Sequence, residues 1–149
     1  MIVKDFDFSD VLTLCSGRLV GSRHMEGVYE ILQFMVGEPV FTHQSPRVMR
    51  ELEPWLREQF PTLFPDDPTM KRMLDFLDGE LNALPGMNLE EVIVRRWVAR
   101  VREAWALPER VILRAMPRQM HTSIDPVQEA QAMFGDENVI AVNLGEGDA

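Results

Sequence analysis

Apolar positions recur at helical spacing over most of this chain. The densest run is Asn88–Leu107, where Leu89, Ile93, Val94, Trp97, Val98, Val101, Ala104 and Trp105 fall on one side of a wheel. Asn88 with Glu91 has the form of a capping box, and Pro108 marks a stop. A face with two indoles and several branched aliphatics is worth several kcal/mol when covered, at about 25 cal/mol per Å2. The rest of the chain is therefore expected to pack around this segment.

Shorter periodic runs flank it. Ser9 or Asp10 is expected to cap a helix from Val11, with Leu12, Leu14, Cys15, Leu19 and Val20 as its apolar positions and a weak middle at Ser16–Arg18. Gly21–His24 reads as a turn, and Met25–Val36 as a helix ended by Gly37. Ser45-Pro46 starts a helix running to about Glu53, after which Pro54 opens a new turn carrying Trp55, Leu56 and Phe60. Prolines 61, 65 and 68 make a connection pinned by Leu63 and Phe64. Asp67-Pro68 starts the next helix, with Met70, Met73, Leu74, Leu77 and Leu81 inward, and Pro85-Gly86 ends it. Asp125-Pro126 starts a last helix through Phe134, closed by Gly135.

Strand signals are few. Residues 110–116 (RVILRAM) and 139–144 (VIAVNL) are β-branched, and 39–43 or 2–8 could add a short extended segment. If the first two pair in parallel, the intervening helix makes a right-handed crossover. The fold expected is α+β and predominantly helical: about six helices with a small sheet of two to three strands. Residues 1–149 are expected to form one domain with a frayed tail at 145–149.

Composition narrows the compartment. No apolar run reaches the ~20 residues that cross a bilayer. The acidic N-terminus lacks a secretory pattern, and the single cysteine, Cys15, excludes an internal disulfide framework. A reducing cytoplasm is the simplest setting. The net charge is −9, unevenly spread. From Glu51 to Glu90, nine acidic residues face three basic ones, whereas Val92–Arg118 holds seven arginines against Glu103 and Glu109. The long-range field of such a chain disfavours general nucleic-acid binding. A nucleic-acid groove on the basic segment would need aromatic rings beside its arginines on an exposed face, and Trp97 and Trp105 are expected inward.

The densest polar cluster is FTHQSPR (Phe41–Arg47), placed before a helix N-terminus. Thr42, His43, Gln44 and Arg47, joined by Arg18, could bind an anion or a peptide carboxylate, with His43 as donor and Arg47 as clamp. The plainer reading makes Thr42, Gln44 and Ser45 cap and turn residues and His43 a packing residue. Cys15 sits among leucines, as buried cysteines do, and lacks a thiol-enzyme signature. Neither metal-ligand spacing nor a phosphate-binding glycine loop is present; the glycines between Gly17 and Gly27 fit no nucleotide fingerprint. No cofactor and no catalytic residue is expected.

The segments DVLTLCSGRLV (Asp10–Val20), GVYEILQFMVGEPVFTHQSPR (Gly27–Arg47), PWLREQFPTL (Pro54–Leu63) and DPVQEAQAMFG with VIAVNL (Asp125–Leu144), spread over most of the chain, resemble a family of small bacteriophage and prophage proteins of unknown function. The resemblance implies a genomic setting rather than a mechanism: an accessory phage protein in a bacterial host, with Gly17, Arg18, Thr42, His43, Gln44 and Arg47 as positions to test. The leading expectation is a non-enzymatic protein that binds a host or phage protein, possible partners including host defence components. One variant is nucleic-acid mimicry, with Glu51–Glu90 occupying a basic groove. The competing expectations are a small-ligand binder or enzyme using Arg18, Thr42, His43 and Arg47 converging in one pocket, and a self-associating virion component.

Overall fold

A computed structural model describes residues 2–83 and 89–135. Within them lie strands β1 (Val3–Asp7) and β2 (Arg110–Arg114) and helices α1 (Phe8–Ser16), α2 (His24–Val36), α3 (Ser45–Gln59), α4 (Pro68–Asn82), α5 (Glu90–Ala104) and α6 (Pro126–Phe134). Single 3-10 turns occupy Thr42–Gln44, Pro61–Leu63 and Arg118–Met120. The fold is α+β and mostly helical, with a two-stranded sheet. The expected strand at 139–144 and the expected caps at Asn88 and Pro85-Gly86 lie outside the described residues.

The sheet pairs β1 with β2 antiparallel, Val3 opposite Arg114 and Asp7 opposite Arg110. The parallel pairing of 110–116 with 139–144 weighed from sequence falls outside the described residues. Phe6, Val111 and Leu113 turn inward, while Val3 and Ile112 face solvent. The sheet is anchored at Arg114, whose carbonyl accepts from Trp55 Nε1 at 2.8 Å.

The core centres on α1, α2 and α3, not on the segment with the strongest periodicity. Val11, Leu12, Val28, Ile31, Leu32 and Leu52 are wholly enclosed among these helices. On α5 only Trp97 and Val101 are buried, and Leu89 and Val92 are exposed. Trp105 is half-buried. The reason is coverage: α5 packs chiefly on α4, so one neighbour shields one stripe of its apolar face. Trp97 fills that seam and donates from Nε1 to the Met73 carbonyl at 2.7 Å.

Several boundaries move for identifiable reasons. Helix α1 begins at Phe8, because Asp7 rather than Ser9 or Asp10 takes the capping position and accepts from the Ser9 amide at 2.9 Å. It stops at Ser16, where Gly17 adopts φ 77, so Leu19 and Val20 lie beyond it. Residues 39–43 form no strand; the chain enters a 3-10 turn at Thr42 that runs directly into α3. The Ser45 hydroxyl consequently donates back to the Thr42 carbonyl at 2.9 Å instead of accepting a helix amide. Helix α3 passes through Pro54 without a break. Pro54 faces solvent, where a carbonyl that loses its partner can be hydrated, while Leu52, Trp55 and Leu56 hold both halves to the core.

The loop after α1 is fastened by one hydroxyl. Thr13 Oγ1 donates to the Ser9 carbonyl and accepts from the Val20 and Gly21 amides at 3.1 and 3.0 Å. This brings Gly21 against Asp10, and α2 brings Gly27 against the same carboxyl group; a Cβ on either glycine would overlap it. Asp10 is 3% exposed, and its Oδ1 has no hydrogen-bond partner. Loss of water on burial, then the neighbouring Asp7 charge, push its carboxyl above the usual range.

Candidate functional site

The five candidate residues do not converge. Arg18 reaches α4, where Nη2 and Nε bond Asp78 at 2.8 and 3.3 Å on the surface. His43, Gln44 and Arg47 instead turn toward the segment from Thr122 to Glu129. Thr42 is exposed, and its carbonyl accepts from the Ser45 hydroxyl.

The Phe41–Arg47 cluster does hold a carboxylate, and that carboxylate belongs to the chain itself. Arg47 grips Glu129 with two parallel bonds, Nε to Oε2 at 2.7 Å and Nη2 to Oε1 at 3.0 Å. Its Nη1 donates to Glu51 Oε2 at 2.9 Å and to the Thr122 carbonyl at 2.7 Å. Gln44 Nε2 adds bonds to Glu129 Oε1 and to the Ile124 carbonyl, while its Oε1 accepts from the Phe41 amide. His43 Nε2 donates to the Pro126 carbonyl at 2.8 Å. The guanidinium and Gln44 hold the Glu129 carboxyl below its ordinary range, the Arg47 bond being the larger cause.

A second polar knot lies beside it. Both ring nitrogens of His121 contact carboxylates, Nδ1 with Glu51 Oε1 at 2.6 Å and Nε2 with Glu38 Oε1 at 3.0 Å. The Ser123 hydroxyl donates to Glu38, and the Thr122 amide to Glu51. The Ser123 bond, followed by burial and the His121 contact, sets Glu38, with a net shift below the usual carboxylate range. Helix α6 buries only Glu129, so polar bonds rather than apolar area dock it. His121, Glu129, Glu38 and Glu51 were not among the expected site residues, since nothing local in the sequence joins positions some 80 residues apart.

The other candidate chemistries can be placed. Cys15 is 2% exposed, and burial pushes its thiol up to about 12. Among the described residues no group of three or more His, Cys, Asp or Glu is arranged to hold a metal ion. No described helix is long and apolar enough to cross a membrane. The acidic residues from Glu51 to Asp78 are largely engaged: Glu53 and Asp66 with Arg57, Asp75 with Lys71, Asp78 with Arg18. Asp67 caps α4 through the Met70 amide.

What stays open is apolar. A groove of about 370 Å3 runs between α1, α2 and α3, lined by Leu14, Leu19, Met25, Val28, Met49 and Leu56, with Arg50 and Glu53 at its edge. Leu19 and Met25 are 49% and 39% exposed there. Sequence patterning placed Leu19 inward because it continued the α1 stripe; the turn at Gly17 redirects it.

The matches to known proteins are confined to the part of the chain that builds this groove. No curated protein and no solved structure matches. Residues 6–65, from the end of β1 through the turn after α3, match the family model described as Domain of unknown function (DUF7736).

Proposed function

We propose that this is an accessory protein of phage or prophage origin that acts by binding a protein of the host or of the phage, without catalysing a reaction. The observation that carries the reading is the apolar groove of the DUF7736 segment, with Leu19 and Met25 exposed beside Leu14 and Met49. Its volume lies within the roughly 300–1,000 Å3 of ordinary binding clefts, and exposed apolar residues gathered in one concavity suit an apolar helix face or an extended anchor. The polar groups best suited to chemistry are meanwhile engaged by the chain's own segment 121–129, and the one thiol is enclosed. The phage setting rests on the resemblance of Asp10–Val20, Gly27–Arg47 and Pro54–Leu63 to prophage proteins. A bacterial cytoplasm is the compartment that goes with it.

Nucleic-acid mimicry is less well supported than the groove, because five of the nine carboxylates it would use, Glu51, Glu53, Asp66, Asp75 and Asp78, are paired with neighbouring cations. The test is affinity capture from phage-infected cells with the wild-type chain and with a Leu19→Glu, Met25→Glu double variant. A stoichiometric protein should be retained by the first and lost by the second, with unchanged circular dichroism. Capture insensitive to the double substitution, or a small molecule in place of a protein, would overturn the reading.

A further inference from the structure

A second concavity lies where α5 of the basic segment packs on α4, outside the residues of the DUF7736 match. A cleft of about 230 Å3 opens between α4 and α5, lined by Thr69, Arg72, Met73, Phe76, Trp97 and Arg100. Trp97 is its buried floor, at 2% exposure, with its indole N–H already committed to Met73. Phe76 is its open wall, at 51% exposure. The Arg100 guanidinium stands 5.5 Å from the centre of the Phe76 ring. Arg72 makes one polar contact, to Thr69 Oγ1 at 3.3 Å.

Among the described residues neither Arg72 nor Arg100 has a carboxylate partner, although α4 carries acidic side chains. Two of its three acids are taken by other cations: Asp75 pairs with Lys71 and Asp78 with Arg18. Two guanidiniums without a carboxylate partner thus stand beside an exposed ring. They match a ligand that combines a flat ring with an anionic group. A nucleotide has both: its base stacks on an aromatic face or a guanidinium plane, and its phosphate takes bidentate bonds from arginine. The cleft is smaller than the roughly 300–1,000 Å3 of drug-sized sites, which fits a single ring rather than a length of strand. The acidic remainder of the chain also disfavours a long polyanion.

We propose that the α4–α5 cleft is a nucleotide site, with the base against Phe76 and the phosphate held by Arg72 and Arg100. It is independent of the groove and of any partner bound there. The phosphate could come from a free mononucleotide or from the end of a single strand. Titration of the full chain with adenosine monophosphate, adenosine and an all-adenine single-stranded DNA hexamer separates the two sources. Adenosine should bind at least roughly tenfold more weakly than its monophosphate, and Phe76→Ala or Arg100→Gln should each weaken the monophosphate by roughly tenfold. Both substituted positions are exposed, so the variants should keep the wild-type thermal midpoint. Tighter binding of the hexamer assigns the site to strand ends, and equal or weaker binding assigns it to free nucleotides. Saturable binding of neither, binding insensitive to both substitutions, or displacement by an acidic peptide lacking aromatic residues as readily as by the nucleotide would overturn the proposal.

Discussion

Arg47 on α3 and Glu129 on α6 form a two-point ion pair, with N–O distances of 2.7 and 3.0 Å and side chains only 19% and 10% exposed. Breaking one side of a buried pair leaves an uncompensated charge, which costs about 3–5 kcal/mol when burial is complete and less here. Since α6 buries no apolar side chain, it can release that charge to water by undocking. Arg47→Met should therefore lower amide protection across 126–134 by roughly a hundredfold while leaving α1–α3 protected. Hydrogen exchange reads this directly; unchanged protection in α6 would show that the pair does not hold it.

Acid should have the same effect. Glu129 and Glu38 are both held below the ordinary glutamate value of 4.5, chiefly by Arg47 and by Ser123 respectively. A carboxyl depressed in the folded state contributes stability that is present above its unfolded value and lost as pH falls through the folded one. Docking of 121–134 should thus be constant down to about pH 4.5 and fail below it. Exchange rates in α6 at about pH 6 and about pH 3 provide the comparison; a segment that stays protected at the lower pH contradicts it.

Asp10 should behave in the opposite sense. Its carboxyl is raised by burial, so the folded state favours the protonated form. That preference is fully present below the unfolded value of 3.8 and is lost as pH rises through the raised folded value. Asp10→Asn should have the higher thermal midpoint at neutral pH, with the gap closing as pH falls toward 3.8. A gap independent of pH would mean that Asp10 is not titrating in this way.

The glycines beside Asp10 allow a second check. A methyl group on Gly27 overlaps the Asp10 carboxylate, so Gly27→Ala should cost about 1–3 kcal/mol, as overpacking does. In an Asp10→Ala background the obstruction is gone. There the same change should be neutral or stabilising by up to about 1 kcal/mol, because alanine favours a helix over glycine. Additive effects in the double variant would contradict the contact.

Cys15 should be inert. With 2% exposure and a thiol pushed up to about 12, it offers almost no thiolate at neutral pH. A thiol reagent should label it only in denaturant; rapid labelling of the folded chain would contradict the enclosure.

Local signals in the sequence were readable where a single residue decides the backbone. Gly37 ends α2 at φ 75, Asp67 and Asp125 cap α4 and α6, and RVILR forms a strand. Properties set by distant partners were not. Periodicity ranked α5 first because it counts apolar residues, not neighbours available to cover them. Thr42, His43 and Gln44 looked like an open anion site because the Glu129 that meets Gln44 lies 85 positions away. Gly21 and Gly27 were compared with nucleotide loops, whereas their service is to leave room for one carboxyl group.

The pairing of β1 with β2 sets the order in which the chain can assemble. Asp5 meets Arg110 across 105 residues, so the entropy of closing that loop must be met before the ladder returns anything. The helices between them must collapse first, and the ribbon zips last. Cut out alone, the stretch 6–65 would lack β2, leaving Phe6 without its sheet neighbours and the Trp55 indole without the Arg114 carbonyl. The matched stretch is thus completed by a strand synthesised much later.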